Sequence, residues 1–455
     1  MSLSLDTEQL RVLSWRASTR DIAAVVGPPG CGKTTVGSIL AIKMIAEDLA
    51  KRILLVAYTN AAANEFCWEL CNILGPELAK RFCLRTGNPT GIDPLIPIPF
   101  SRSASEIQEK RIIISTNLSL KRLPSLMRFD NMIIDEAGIE RLEHLLWPFW
   151  FGVNNAVAQQ YNKSASNNNS DDATTENNSS QINDLMELIS QCGTVATVVG
   201  DPKQSRPISP VRVDYSAIEW VMKRSHWDTL RISHRLPDRL SGLVNEFAEY
   251  DGLRSAAEIG SRRLVLDRSP DTEFREIIQP DEVTTWVDIN GKEQPIGPSS
   301  WANDMEAKAC VKICSHLTHI TRNNNKSIAV ITRFTAQKQI IRRYLQRMGH
   351  TDIKVTTTTG ALGTQADIVL FSLTRNNPER NVGAAGTLQD LNVAISRSKE
   401  KLIILGNFDM MLNGWAGAAS SINGRHYLKS PVRKLARLVD LKYGKVIVAS
   451  PTIVC

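Results

Sequence analysis

Short apolar runs punctuate the first half of the chain, at Ile22–Val26, Ile53–Tyr58, Ile112–Ser115, Met132–Ile134 and Thr194–Val199. Helical patterns lie between them, such as the stretch from Val36 to Met44. The rhythm resumes in the second half at Ser327–Thr332, Ile368–Ser372 and Lys401–Leu405. Runs without polar alternation suit strands covered on both faces, so the pattern predicts βαβ units and parallel sheets flanked by helices. No short-period repeat is present, and two α/β domains of similar size are expected, over residues 1–228 and 229–455.

One segment breaks the rhythm. Residues 154–183 are rich in Asn, Ser, Gln and Thr, a composition that cannot bury enough apolar surface to offset its ordering entropy. A surface insertion is expected there, with a single Lys and no Arg to steer phosphate. Before it, the apolar stretch Leu145–Phe151 reads as core or interdomain packing.

Charge and cysteine content narrow the picture only a little. The 54 basic and 47 acidic residues give +7, compatible with a polyanionic partner but not diagnostic of one. No apolar run approaches the ~18 residues of a membrane span, and the first residues lack a secretory pattern. An intracellular, membrane-free monomer is the expectation. The eight cysteines then read as thiols. Cys67, Cys71 and Cys83 raise a zinc or iron–sulfur alternative, but the spacing is not C-x-x-C, so buried apolar-like cysteines are expected.

Candidate chemistry changes the picture most. Gly27-Pro28-Pro29-Gly30-Cys31-Gly32-Lys33-Thr34-Thr35 fits G-x-x-x-x-G-K-[ST] and sits between an apolar strand and a helix. Its backbone N–H groups and the helix dipole make an anion site. Gly27, Pro28, Gly30, Gly32 and Thr35 would wrap the phosphates of ATP, with Lys33 on the outer ones and the Thr34 hydroxyl on Mg²⁺. A second strand end supplies Asp135-Glu136, with Asp135 toward the metal and Glu136 toward an attacking water. A third supplies Gly200-Asp201-Pro202-Lys203-Gln204, where Gln204 can reach the γ-phosphate or that water.

In this order the motifs resemble those of superfamily 1 helicases, and the resemblance runs almost end to end. Within that superfamily the chain most resembles the branch of the nonsense-mediated-decay RNA helicase and its relatives. Leu5-Asp6-Thr7-Glu8-Gln9 is similar to the family's adenine-reading motif, with Gln9 on the base. Leu55–Ala63 and Ile114–Asn117 resemble loops that touch the nucleic-acid backbone, which implies contacts from Thr59, Asn60, Thr116 and Asn117; Thr358 joins them from the second half. Leu230–Leu236 is similar to the motif that opens the second domain, and Ser300, Asn303, Glu306 and Ala307 follow a family spacing. Ala329–Gln337 resembles the fourth motif and Leu391–Lys399 the sixth.

The resemblance implies two tandem RecA-like domains of the P-loop NTPase class, with ATP–Mg²⁺ in the cleft between them and single-stranded RNA or DNA across the top. Arg235 and Arg397 are then the cations aimed at the γ-phosphate. The activity implied is an ATP-dependent helicase or translocase, moving 5′ to 3′.

Four departures qualify that expectation. In the fifth motif, Thr359, Leu362 and Gln365 stand where the family carries Asp, Gln and Glu; Gly363 is kept, and Gln365 can still bond a ribose. His234 replaces a tyrosine that stacks on adenine, and Ile139 replaces a Gln. The chain begins almost at the adenine motif, leaving no room for the family's accessory β-barrel. The alternative is an ATP-gated nucleic-acid clamp that hydrolyses ATP without processive unwinding.

Overall fold

The computed structural model describes residues 4–18, 22–124, 127–139, 142–150, 195–204, 216–383, 387–415 and 430–454. The Asn-rich insertion expected at 154–183 lies outside the described residues. By backbone contacts the chain divides into two compact units. The first comprises Met1–Gly27, Gly32–Pro202 and Arg206–Leu230; the second comprises Pro28–Cys31, Lys203–Ser205 and Arg231–Cys455.

Among the described residues the first unit has seven strands: β1 (Ala23–Val26), β2 (Ile53–Ala57), β3 (Cys83–Arg85), β4 (Ile112–Thr116), β5 (Asn131–Ile134), β6 (Val195–Gly200) and β7 (Trp227–Thr229). Their order is β3-β4-β2-β5-β6-β1-β7, and every neighbouring pair is parallel. All residues of β1, β2, β4 and β5 are buried, as continuous apolar strands in a two-sided layer should be. Ile22, Leu54, Ile113, Met132, Ile134 and Trp220 belong to one hydrophobic cluster of this unit. Leu145 and Phe149 join the same cluster, so part of the apolar stretch read at 145–151 is core of this unit.

Among its described residues the second unit carries two small two-stranded pairings and a larger sheet. β8 (Ile232–Ser233) pairs with β9 (Arg254–Ser255), and β11 (Gln294–Pro295) pairs with β12 (Trp301–Ala302). The larger sheet contains β10 (Thr284–Asp288), β13 (Ile328–Thr332), β14 (Lys354–Thr357), β15 (Ala366–Ser372), β16 (Ser398–Gly406) and β17 (Lys445–Val448). They order as β14-β13-β15-β16-β10-β17, again all parallel. Helix Asp304–Ile320 covers this sheet with Ala307, Cys310, Ile313, Cys314 and Leu317.

Two parallel sheets, each with its own core, are the α/β architecture read from the sequence. Among the described residues no helix is long and apolar enough to cross a membrane. Cys31, Cys67, Cys71, Cys83, Cys310 and Cys314 are buried. Burial pushes the Cys67 thiol up to about 12, so it stays protonated at neutral pH.

Candidate nucleotide and nucleic-acid site

Parallel strands place their carboxyl ends along one edge of a sheet, and ligands of such folds bind there. In the first unit the loops after β1, β6, β5, β2 and β4 follow one another along that edge. They carry Gly27 and Gly32–Thr35 of the phosphate loop, Asp201, Asp135–Glu136 and Thr59 in that order, and Thr116 ends β4 itself.

The phosphate loop is a glycine construction. Gly30 and Gly32 take φ values of 79° and 73°, where a Cβ is strained. A Cβ on Gly32 would also come within 2.4 Å of Gln9 Nε2, so the Gln9 amide packs against the loop itself. Gln9 is buried, and its Oε1 accepts from the Asp6 N–H at 3.2 Å. Helix Lys33–Glu47 starts from Gly32 without a side-chain cap, which leaves its N-terminus suited to an anion. Lys33 Nζ donates to the Gly27 carbonyl at 2.7 Å. Thr35 is half-buried on the first turn of that helix.

Thr34 Oγ1 donates to Asp135 Oδ2 at 3.1 Å, bringing together two oxygens of the kind a hard divalent cation prefers. Asp135 is buried, and burial raises its pKa against the opposing pull of Lys33, the Glu136 N–H and the Thr34 hydroxyl. Glu136 follows with φ 59°, its N–H donating to Asp135 Oδ1 at 2.8 Å. The donor set therefore fits a nucleotide with Mg²⁺: an ammonium, a helix start and a paired hydroxyl and carboxylate.

Thr59 caps helix Asn60–Leu74 by accepting from the Ala62 N–H, and its hydroxyl also donates to Glu136 Oε2 at 3.2 Å. Asn60 Oδ1 accepts from Arg85 Nη2 at 2.9 Å. Thr116 is buried with its hydroxyl on Ser119 Oγ at 2.9 Å, and buried Asn117 donates to the His144 carbonyl.

In the second unit, His234 donates its backbone N–H to the Gly30 carbonyl at 2.8 Å, while its ring Nδ1 lies 3.2 Å from Glu258. Arg235 Nε donates to Gln365 Oε1 at 3.2 Å and its Nη1 to the Ser396 carbonyl. Arg397, buried, donates to Gln204 Oε1 at 2.7 Å. Both arginines thus bond to residues from other loops named in the sequence reading. Gly363 keeps φ 72°, and Leu362 is buried rather than offered to a ligand. Thr358 is buried, its hydroxyl on Asp390 Oδ1 at 3.0 Å.

Several contributors were missed in the sequence. Ser233 donates to the Pro29 carbonyl at 3.2 Å and accepts from the N–H groups of Arg235 and Leu236, tying the phosphate loop to the Arg235 turn. Arg85 is fully buried and reaches the Thr86 carbonyl as well as Asn60; burial lowers its pKa. An arginine inside the buried run Cys83–Arg85 was the available signal. Asp390 gathers Thr358, Thr387 and Arg333, a role nothing in its local sequence marks.

Comparison with known proteins adds an independent line. Two families, each described as an AAA domain, match residues 4–97 and 213–409. "DNA replication ATP-dependent helicase/nuclease JHS1" of Arabidopsis thaliana is 24% identical over 436 residues, 89% of this chain and 28% of the relative. "ATP-dependent helicase NAM7" of Saccharomyces cerevisiae is 27% identical over 228 residues, covering 46% of this chain and 22% of the relative. "Regulator of nonsense transcripts 1" of Dictyostelium discoideum is 24% identical over 270 residues, covering 56% and 19%. The chain therefore spans between about a fifth and somewhat over a quarter of the length of these three relatives. Phosphate loop, strand-end carboxylates, parallel sheets and these matches agree: the chain belongs to superfamily 1 of the helicases, in the branch of the nonsense-mediated-decay RNA helicase and its relatives.

Proposed function

We propose that this protein is a nucleic-acid-stimulated ATP hydrolase that moves along single-stranded RNA or DNA, 5′ to 3′ by family habit. The observation that carries the reading is the Thr34–Asp135 pair at 3.1 Å, with Lys33 on the same loop and Glu136 one residue on. Thr34 and Asp135 would hold Mg²⁺, which when bound would offset the negative charge of the phosphate oxygens. Lys33 and the start of helix Lys33–Glu47 cradle the phosphates, Gln9 reads the base, and His234 is the proposed stacking residue of the second unit.

Glu136 takes a proton from water as the water oxygen bonds to the γ-phosphorus. The bond from that phosphorus to the β–γ bridging oxygen breaks, ADP departs with the electron pair, and inorganic phosphate is left. Arg235 and Arg397 supply positive charge as charge shifts toward the leaving oxygens, and Gln204 orients the water. Thr59, Asn60, Thr116, Asn117 and Thr358 serve the strand's backbone, directly or by shaping the loops that do, without reading bases.

A second reading, an ATP-gated clamp without processive stepping, draws support from the fifth motif. Leu362 is buried there, and Gln365 is engaged by Arg235. Steady-state ATP turnover with and without an oligo-uridylate or an oligo-deoxythymidylate separates the two. Several-fold stimulation is expected, with Glu136→Gln lowering turnover by about 10²- to 10⁴-fold. Strand binding without stimulation would favour the clamp, and no strand binding at all would sink both.

A further inference from the structure

The Thr59 hydroxyl stands between two functions. Its oxygen accepts from the Ala62 N–H at 3.1 Å, and its proton goes to Glu136 Oε2 at 3.2 Å. The two residues follow neighbouring strands, β2 and β5, which pair Val56 with Ile134. A hydroxyl has two acceptor lone pairs but one proton. It can therefore keep its cap bond whatever the proton does, but it can give that proton to only one partner at a time.

The neighbouring candidates have less freedom. Asn60 is gripped from below by Arg85, and Gly91 packs so closely that a Cβ there would come within 2.1 Å of Asn60 Nδ2. The Thr116 proton is spent on Ser119 in the buried layer. Glu136 itself is fixed in backbone, at φ 59° with its N–H on Asp135, so the direction of its carboxylate is set through side-chain partners such as Thr59.

We infer that Thr59 is the positioning residue through which a bound single strand turns on ATP hydrolysis. In the resting protein its hydroxyl holds the Glu136 carboxylate aside. A phosphate oxygen of the strand then accepts that proton instead, and Glu136 swings to the attacking water while the helix cap stays in place. This inference rests on the reading above, in which Glu136 is the base and Thr59 faces the strand.

ATP turnover of wild type, Thr59→Val, Thr59→Gly and Thr59→Ser tests it, each measured without nucleic acid and with saturating oligo-uridylate or oligo-deoxythymidylate. Valine matches threonine in shape without the hydroxyl. Glycine also lacks it, yet is nearly as good a helix cap, so it guards against a folding failure of the valine variant. Both should raise the strand-free rate about fivefold, the scale of one modest hydrogen bond, and shrink the stimulation ratio by the same factor. Thr59→Ser keeps the proton and should return toward the wild-type ratio. An unchanged or lower strand-free rate in folded Val and Gly variants would overturn the inference. If wild type shows no stimulation, the functional reading fails, while the strand-free rates of the variants still decide whether Thr59 restrains Glu136.

Discussion

Glu136 adopts φ 59°, a left-handed backbone that costs a residue with a Cβ about 1–2 kcal/mol. No glycine relieves it, because the position needs a carboxylate beside Asp135. Function and local stability therefore pull in opposite directions at this residue. Glu136→Gly releases the strain, offset by up to about 1 kcal/mol for the extra freedom of unfolded glycine. Glu136→Gln keeps the strain and keeps an oxygen for Thr59. Thermal unfolding of the two should place the Gly variant higher, although both lose turnover. A Gly variant that melts below the Gln variant would mean that the Thr59 bond outweighs the strain. Gly32 is the opposite case: it shares the positive φ, and Gln9 fills the space a methyl would take.

At the scale of elements, one buried carboxyl ties a helix to the end of a strand. Glu306, on the first turn of helix Asp304–Ile320, accepts from Ser372 Oγ at 2.7 Å and the Thr374 N–H at 2.8 Å. Thr374 is held there at φ 73°. Burial pushes the Glu306 pKa from 4.5 up to about 8. The folded protein therefore binds more protons than the unfolded chain between those values. This group's stabilisation is complete below pH 4.5 and is lost as pH rises toward 8, by at most about 1.4 kcal/mol per unit. Urea titrations across that window should show Glu306→Gln losing less stability with rising pH than wild type; equal slopes would mean Glu306 stays ionised. The spacing of Asn303 and Glu306 was legible in the sequence, but the partner 66 residues away was not. The same holds throughout. Apolar runs such as Ile53–Tyr58 and Met132–Ile134 returned as strands within a residue, since burial on both faces leaves an unbroken pattern, whereas Ile368–Ser372 and Lys401–Leu405 are only parts of the strands Ala366–Ser372 and Ser398–Gly406. Cys83–Arg85, Thr284–Asp288 and Lys354–Thr357 were missed because Arg, Thr and Lys interrupt that pattern. Motifs disclosed which chemistry the site holds. They could not disclose Thr59 on Glu136 or Arg235 on Gln365, bonds that span 77 and 130 residues and exist only after folding.

For the whole molecule, the question is how a chain with 54 basic and 47 acidic residues would hold a polyanion. The net +7 is spread over 455 residues, and many of the cations are already paired. Arg11 lies on Asp228, Lys326 on Glu400, Arg375 on Glu293 and Lys442 on Glu246. The residues proposed for the strand, Thr59, Asn60, Thr116, Asn117 and Thr358, are all neutral. A neutral hydroxyl or amide that bonds a phosphate releases no counterion, whereas each Lys or Arg contact contributes about −0.7 to the slope of log K against log salt on a single strand. Binding built mainly on such groups should show a shallow slope, of magnitude below about 3, which corresponds to about four cationic contacts or fewer. Fluorescence anisotropy with a labelled oligo-uridylate between 50 and 300 mM salt, about the physiological range, measures it directly. A slope steeper than about −5 would transfer the binding to lysines and arginines outside the proposed set. Thr59→Val should then weaken binding little at any salt, yet still alter the ratio of strand-bound to strand-free turnover, because its proposed role is to pass on the contact rather than to supply the affinity.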